Sequence, residues 1–186
     1  MSDAAFFCDK LGLKSWAVNL FGGSSDNHQM ASQIISENDS EIIYEKLIDF
    51  WVRRNDKDLS IREIDNLLAG LVKKRSSNCS FNGSCGRYFC LDNTGNVYPC
   101  DRFSDNPEYL LGNLNIENLA GIVLGNKAKI FRDKVTIVPR KCQSCQWLKS
   151  CNNGCTALRD SGNCFVYCKG RVSAYERLSS LLGIAD

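Results

Sequence analysis

The chain has a single histidine, His28, among its 186 residues. A site built on several imidazoles is therefore excluded. His28 lies in or just after the loop Gly22–Asn27 and reads as a solvated loop residue. The chain also lacks any 18-residue apolar run, which excludes a membrane-spanning helix. Its first residues, Met1 to Cys8, have neither a basic n-region nor a long apolar core, so they do not read as a signal peptide. An excess of one charge is missing too. Lysine and arginine number 23 against 21 acidic residues, a net charge of +2. That balance supplies no basic field for nucleic acid. The short run Lys73-Lys74-Arg75 reads as a solvated helix end. Internal repeats and low-complexity segments are absent. These absences point to a cytoplasmic protein working on neither membranes nor nucleic acid, in a compartment where thiols stay reduced.

Cysteine is what the chain has in excess: 11 residues, an odd number, with only Cys8 before residue 76. In a reducing compartment such cysteines read as metal ligands before disulfides. Four of them form the run Cys142, Cys145, Cys151 and Cys155, spaced C-x2-C-x5-C-x3-C. Cys164 and Cys168 follow. An earlier group holds Cys79, Cys85, Cys90 and Cys100. Zinc is suited by paired C-x2-C knuckles, and only one such pair exists here, Cys142 with Cys145. The C-x2-C-x5-C-x3-C run is closer to a ferredoxin string, in which one cysteine reaches across to a second cluster. Soft thiolates with no histidine nearby also suit iron and sulfide. The residues favour iron–sulfur over zinc, and zinc over disulfides.

The rest reads as α+β. Residues 1–22 suggest a helix end, a break at Gly12 and a buried strand from Trp16 to Phe21. Residues 40–54 predict a helix with Ile42, Ile43, Tyr44, Leu47, Ile48, Phe50 and Trp51 at helical spacing. Ser60 and Glu63 read as a capping box opening a second helix, whose apolar face is Ile61, Ile64, Leu67, Leu68 and Leu71. A composition shift near residue 76 divides residues 1–75 from 76–186. Tyr88–Leu91, a turn Asp92–Gly95 and Asn96–Pro99 predict a hairpin. Short helices follow over 115–124 and 126–134, then a cysteine-rich coil over 139–168. A last helix carries Val172, Tyr175, Leu178 and Leu182 and stops at Gly183. Cys8 and Cys90 read as core residues.

The cysteine pattern resembles the SPASM domain, the C-terminal auxiliary iron–sulfur region of radical SAM peptide and protein maturases, especially the anaerobic sulfatase-maturating enzymes. Cys85 is followed by nine residues, Gly95, four residues and Cys100. The central run then matches without gaps, and Cys168 can serve as the last cysteine. Gly95-Asn-Val-Tyr-Pro-Cys100-Asp101 and Leu111-Gly112-Asn113 are also similar to the family. The likeness extends more weakly to residues 1–78, which resemble the last strand and helices of a (β/α) radical SAM barrel.

The resemblance implies two auxiliary [4Fe-4S] clusters. Cys79, Cys85, Cys100 and the crossing Cys155 would bind the first. Cys142, Cys145, Cys151 and Cys168 would bind the second, with Cys164 competing for the last place. Four thiolates on each cluster leave no open iron, which implies substrate positioning and electron relay rather than substrate ligation. It further implies a peptide or protein substrate, and a catalytic proton acceptor at Asp101. The radical SAM motif C-x3-C-x2-C is missing: after Cys164-x3-Cys168 the third place holds Arg171, and after Cys151-x3-Cys155 it holds Leu158. The expectation is part of a maturase that does not bind or cleave S-adenosylmethionine alone and that works with a barrel subunit or a missing N-terminal half. The alternatives are a stand-alone iron–sulfur electron carrier and a zinc-stabilised interaction module.

Overall fold

A computed structural model describes residues 2–20, 34–72, 76–104 and 106–184. His28, the glycine-rich loop, Phe21 and Lys73–Arg75 lie outside the described residues. Helix α1 (Ser2–Lys10) leads to a short strand β1 (Ser15–Trp16). After α2 (Glu37–Arg54) the chain returns in β2 (Ser60–Ile61) and enters α3 (Arg62–Leu71). The strands β1 and β2 pair in parallel, Ser15 opposite Ser60 and Trp16 opposite Ile61. Parallel neighbours need a crossover, and α2 lies on it.

Two sequence expectations change here. The strand predicted from Trp16 onward is only two residues long, Ser15–Trp16. The capping box at Ser60 and Glu63 does not form. Ser60 belongs to β2, where its N–H donates to the Lys14 carbonyl at 2.8 Å, and its hydroxyl bonds Asp65. Ile61 takes the N-cap position with no side-chain cap. Glu63 turns inward instead, accepting from the Val18 N–H at 2.8 Å and pairing with Arg62. A capping box does exist one helix earlier: Ser36 and Asp39 exchange bonds at the start of α2.

The helical stripes form the main core. Tyr44, Leu47, Ile48 and Phe50 of α2 meet Ile64, Leu67 and Leu71 of α3. The last helix, α9 (Cys168–Leu182), adds Ala174, Tyr175 and Leu178. Ile48, Leu67 and Leu178 are fully buried, each contributing about 1.5–3 kcal/mol of hydrophobic stabilisation. The helices α2 and α9 approach closely because Gly170 has no side chain. A Cβ there would lie 2.6 Å from Ser40 Oγ and 2.7 Å from the Ser40 carbonyl carbon. Ion pairs Arg177–Asp49 and Lys169–Glu41 flank the seam. Cys8 is buried in this core.

The cysteine-rich half starts with α4 (Cys79–Asn82) and a three-stranded antiparallel sheet: β3 (Cys90–Leu91), β4 (Asn96–Tyr98) and β5 (Gly112–Asn113). The predicted hairpin is β3–β4, with β4 in the centre and β5 an additional strand. Val97, Leu111, Ile122 and Ala128 form a second core beneath it, with α5 (Leu119–Leu124) and α6 (Asn126–Thr136). Cys90, expected in a core, is half-buried on the edge strand and outside the buried clusters. The expected coil over 139–168 holds short ordered pieces: α7 (Arg140–Gln143), α8 (Leu148–Cys151) and a 3-10 turn Thr156–Leu158. Among the described residues no helix is long and apolar enough to cross a membrane.

The hairpin turn is organised by Asp92, which accepts from Thr94 N–H and hydroxyl, both at 2.8 Å, and from Asn96 N–H and Nδ2, both at 2.9 Å. Burial acts to raise its pKa, but the Thr94 and Asn96 bonds outweigh it and bring Asp92 down to about 2. The folded value lies below that of an unfolded aspartate, about 3.9. The turn's contribution is therefore complete above that unfolded value and is lost as pH falls through about 2. NMR titration of the Asp92 carboxyl is expected to show this low midpoint; an ordinary aspartate midpoint would contradict the network.

Candidate iron–sulfur centre

Cys79, Cys85, Cys100 and Cys155 line one cavity of about 540 Å³. They come from four different local structures. Cys79 opens α4, and Asn78 caps that helix through Ser80 N–H. Cys85 follows the left-handed residue Gly83. Cys100 leaves β4 and leads into a 3-10 turn, Asp101–Phe103. Cys155 arrives from far along the chain, after three consecutive left-handed residues, Asn152, Asn153 and Gly154, with φ of 50°, 55° and 58°. That bend lifts Cys155 out of its own sequence run.

The thiols sense one another. Burial pushes Cys79 up, and the neighbouring Cys155 and Cys85 push the same way. Burial raises Cys85, partly offset by the facing Thr156 hydroxyl, while Cys155 adds to the rise. Cys100 is pushed up to about 12 by burial, a bond from Arg102 N–H opposing, with Asp101, Cys85 and Cys155 adding to it. Thiols held neutral in this way need a cation to become thiolate ligands.

A second group gathers on the other side of the bend. Burial brings Cys142 up to about 11, with Cys164, Cys168, Cys151 and Cys145 all contributing. Burial also raises Cys168, Lys141 opposes, and Cys151 and Cys145 add to the rise. Cys168 is thus a neighbour of Cys142, Cys145 and Cys151. Cys164 is a neighbour of Cys142 and hydrogen-bonds the Gly162 carbonyl at 3.8 Å. Cys145 and Cys151 rest against the main core beside Trp147, which stacks on Tyr175 at 5.1 Å. Ser150 Oγ donates to the Gly70 carbonyl at 3.0 Å, fastening α8 to α3.

The cavity fits an anionic group that accepts hydrogen bonds. Arg171 Nε belongs to a residue on its wall, is buried, and finds no hydrogen-bond partner among the described residues. The four thiols share the wall of this cavity, and among the described residues no three Cys, His, Asp or Glu side chains converge to hold a single ion. The thiolates of a cluster bind different irons, so they do not have to meet at one point. Asp101 also lines the cavity, exposed beside Cys100.

Two arginines escaped the sequence reading. Arg159 stands between the thiol groups. Burial depresses its pKa, and Cys85, Cys155, Cys142 and Cys151 act the other way. Its Nε donates to the Asn153 carbonyl at 3.0 Å and its Nη1 to the Val135 carbonyl at 3.2 Å, pinning the left-handed bend. Arg171 is 3% exposed, within the apolar stripe of α9. Its only sequence signal is a charge on an otherwise buried helix face. For the bend the signal was Asn152-Asn153-Gly154, residue types that tolerate positive φ.

Residues 79–146 match the SPASM family, described as an iron-sulfur cluster-binding domain. The chain carries a SPASM domain. It is also homologous to anaerobic sulfatase-maturating enzymes. The cysteine-type enzyme of Clostridium perfringens is 35% identical over 117 residues, 62% of this chain and 31% of the relative. That of Clostridium novyi is 29% identical over 155 residues, 80% of this chain and 41% of the relative. A solved structure of native anSMEcpe with bound AdoMet and Cp18Cys peptide superposes with a TM-score of 0.71 at 27% identity. It covers 89% of this chain and 46% of that one. The chain therefore spans less than half the length of these relatives. The SPASM match ends at residue 146, and Cys151, Cys155 and Cys168 beyond it gather with the cysteines inside it.

Proposed function

We propose that this chain is the auxiliary-cluster portion of a radical SAM peptide or protein maturase and binds two [4Fe-4S] clusters. Cys79, Cys85, Cys100 and Cys155 would hold the first; Cys142, Cys145, Cys151 and Cys168 would hold the second. The observation that carries this reading is the first cavity. It gathers three early thiols and one distant thiol beside a buried donor with no partner, Arg171 Nε. When bound, the clusters would supply electron transfer. Cys155 would tie the hairpin region to the C-terminal helix, since α9 begins at Cys168. The edge strand β3 would offer its free backbone groups to a peptide substrate. Asp101, exposed at the cavity, would accept a proton from that peptide at its carboxylate. The relative with bound AdoMet and peptide supports the substrate class.

Residues 1–75 would complete a radical SAM barrel supplied by a separate subunit or an N-terminal half, and residues 76–186 would form the cluster domain. The β1–α2–β2 crossover supports this. So do Phe6, Phe7, Leu11 and Leu13, which stand 42–56% exposed around α1. S-adenosylmethionine would bind only in the completed barrel. The test is anaerobic reconstitution with iron and sulfide. About eight irons per chain are expected, with absorbance that bleaches on reduction and no cleavage of added S-adenosylmethionine. Stoichiometric zinc without sulfide would overturn the cluster assignment, and cleavage by this chain alone would overturn the partial-barrel reading.

A further inference from the structure

Arg171 is a buried cation, and among the described residues no carboxylate pairs with it. Its guanidinium lies 3.9 Å from the centre of the Phe81 ring and 4.4 Å from that of Phe165. Nη1 donates to the Ser80 carbonyl at 2.7 Å and reaches Cys151 Sγ at 3.9 Å. Among the described residues the ion pairs involve other cations, and Nε has no partner. Tyr44 and Tyr175 lie close, and they and Cys151 favour the charged form against the burial that opposes it. Arginine does not give up its proton in proteins. A buried charge of this kind is costly unless anions compensate it, and two aromatic faces compensate only in part. Arg171 lines the cavity of Cys79, Cys85, Cys100 and Cys155 while bonding a thiol of the other group. It therefore lies between the two places where negative charge would collect.

We infer that Arg171 is a positioning residue shared by the two cluster sites. It holds the Cys151 sulfur by a charged hydrogen bond and fixes a positive charge that makes the second cluster easier to reduce. The inference rests on the two-cluster reading above. Net charge and hydrogen bonds to the sulfurs are among the quantities that set a cluster's potential. A thiolate-bound cluster becomes more negative on gaining an electron, so a fixed cation beside Cys151 stabilises the reduced form more than the oxidised one. Arg171 has its direct sulfur bond to Cys151, so the second cluster feels it more than the first. The planar guanidinium suits this place: it can lie between Phe81 and Phe165 and still donate along its edge, which an ammonium cannot do.

The test is a potentiometric titration of the anaerobically reconstituted chain followed by electron paramagnetic resonance, with iron counted first. A wild-type chain holding one cluster would refute the two-cluster reading. With two clusters in place, Arg171→Met is expected to keep its iron. Its reduced-to-oxidised ratio for the second cluster at fixed potential should fall about tenfold, a midpoint about 59 mV lower for one electron. The first cluster should shift less. Arg171→Lys keeps the charge but loses the fork, and its second-cluster ratio should fall by a smaller factor. If Arg171→Met loses iron through misfolding, Arg171→Lys decides alone: a second-cluster shift larger than the first supports the role. Unchanged midpoints in an iron-replete variant, or a larger shift at the first cluster, would overturn it.

Discussion

Cys155→Ala should strip iron from the first cluster and spare most of the second, taking the chain from about eight irons to about four. Sequence position argues the opposite, because Cys155 closes the run that starts at Cys142. The geometry places it elsewhere: its thiol raises Cys79, Cys85 and Cys100. The cavity these four line does not include Cys142, Cys145, Cys151 or Cys168. Losing one of four thiolates leaves an iron unprotected, which favours loss of the whole cluster. The second group keeps its own four thiols, since Cys168 neighbours Cys142, Cys145 and Cys151. Cys168→Ala should give the reciprocal result, and Cys164→Ala should leave both clusters in place. Iron and sulfide counts on the three variants, with resonance spectra to assign the surviving cluster, check the set. Equal loss of both clusters in Cys155→Ala, or loss of the second alone, would contradict the crossing.

Much of this arrangement was legible because it depends on local pattern. The spacing of Ile43, Leu47 and Phe50 marked α2, and Gly183 marked the end of α9, where it adopts φ of 62°. Asp92 and Gly95 marked the hairpin. The elements that were misread depend on distant partners. Ser60 looked like a cap because its neighbours in sequence allow one; Lys14, 46 residues earlier, recruits it into a strand instead. The strand β5 was hidden because Gly112 and Asn113 have low strand propensity and are held by β4. At the site, spacing and family likeness singled out the cysteines, whereas Arg159 and Arg171 had no motif to mark them. Their roles come from burial between two thiol groups, which only the folded chain creates.

Gly154→Ala should damage the first cluster site as severely as removing a ligand, although glycine supplies no ligand. Gly154 has φ of 58°, the third left-handed residue in succession. Asn152 and Asn153 tolerate that region better than most residues, and for other L-residues it costs roughly 1–2 kcal/mol. Space is the harder constraint. A Cβ at Gly154 would lie 2.3, 2.4 and 2.7 Å from three carbons of the Phe165 ring. Phe165 is buried, packs edge-on to Tyr167 at 5.7 Å and covers the Arg171 guanidinium. It cannot yield without disturbing both, and overpacking of this kind costs about 1–3 kcal/mol. Together the two effects amount to roughly 2–5 kcal/mol, a fall in Tm of roughly 4–20 °C for a chain of this size. The chain can relieve the clash by turning the bend outward, which withdraws Cys155 from Cys79, Cys85 and Cys100. Calorimetry and iron analysis should therefore show lower stability together with selective loss of the first cluster. Gly162→Ala is the control: its Cβ would meet only Asp160, at 3.2 Å from the nearest oxygen, and φ there is not positive. Adding Phe165→Ala to Gly154→Ala removes the three clashing carbons but keeps the backbone strain, so partial recovery of the first cluster would assign the larger share to packing. If Gly154→Ala bound both clusters at full occupancy, the left-handed bend would not be what delivers Cys155 to the first site.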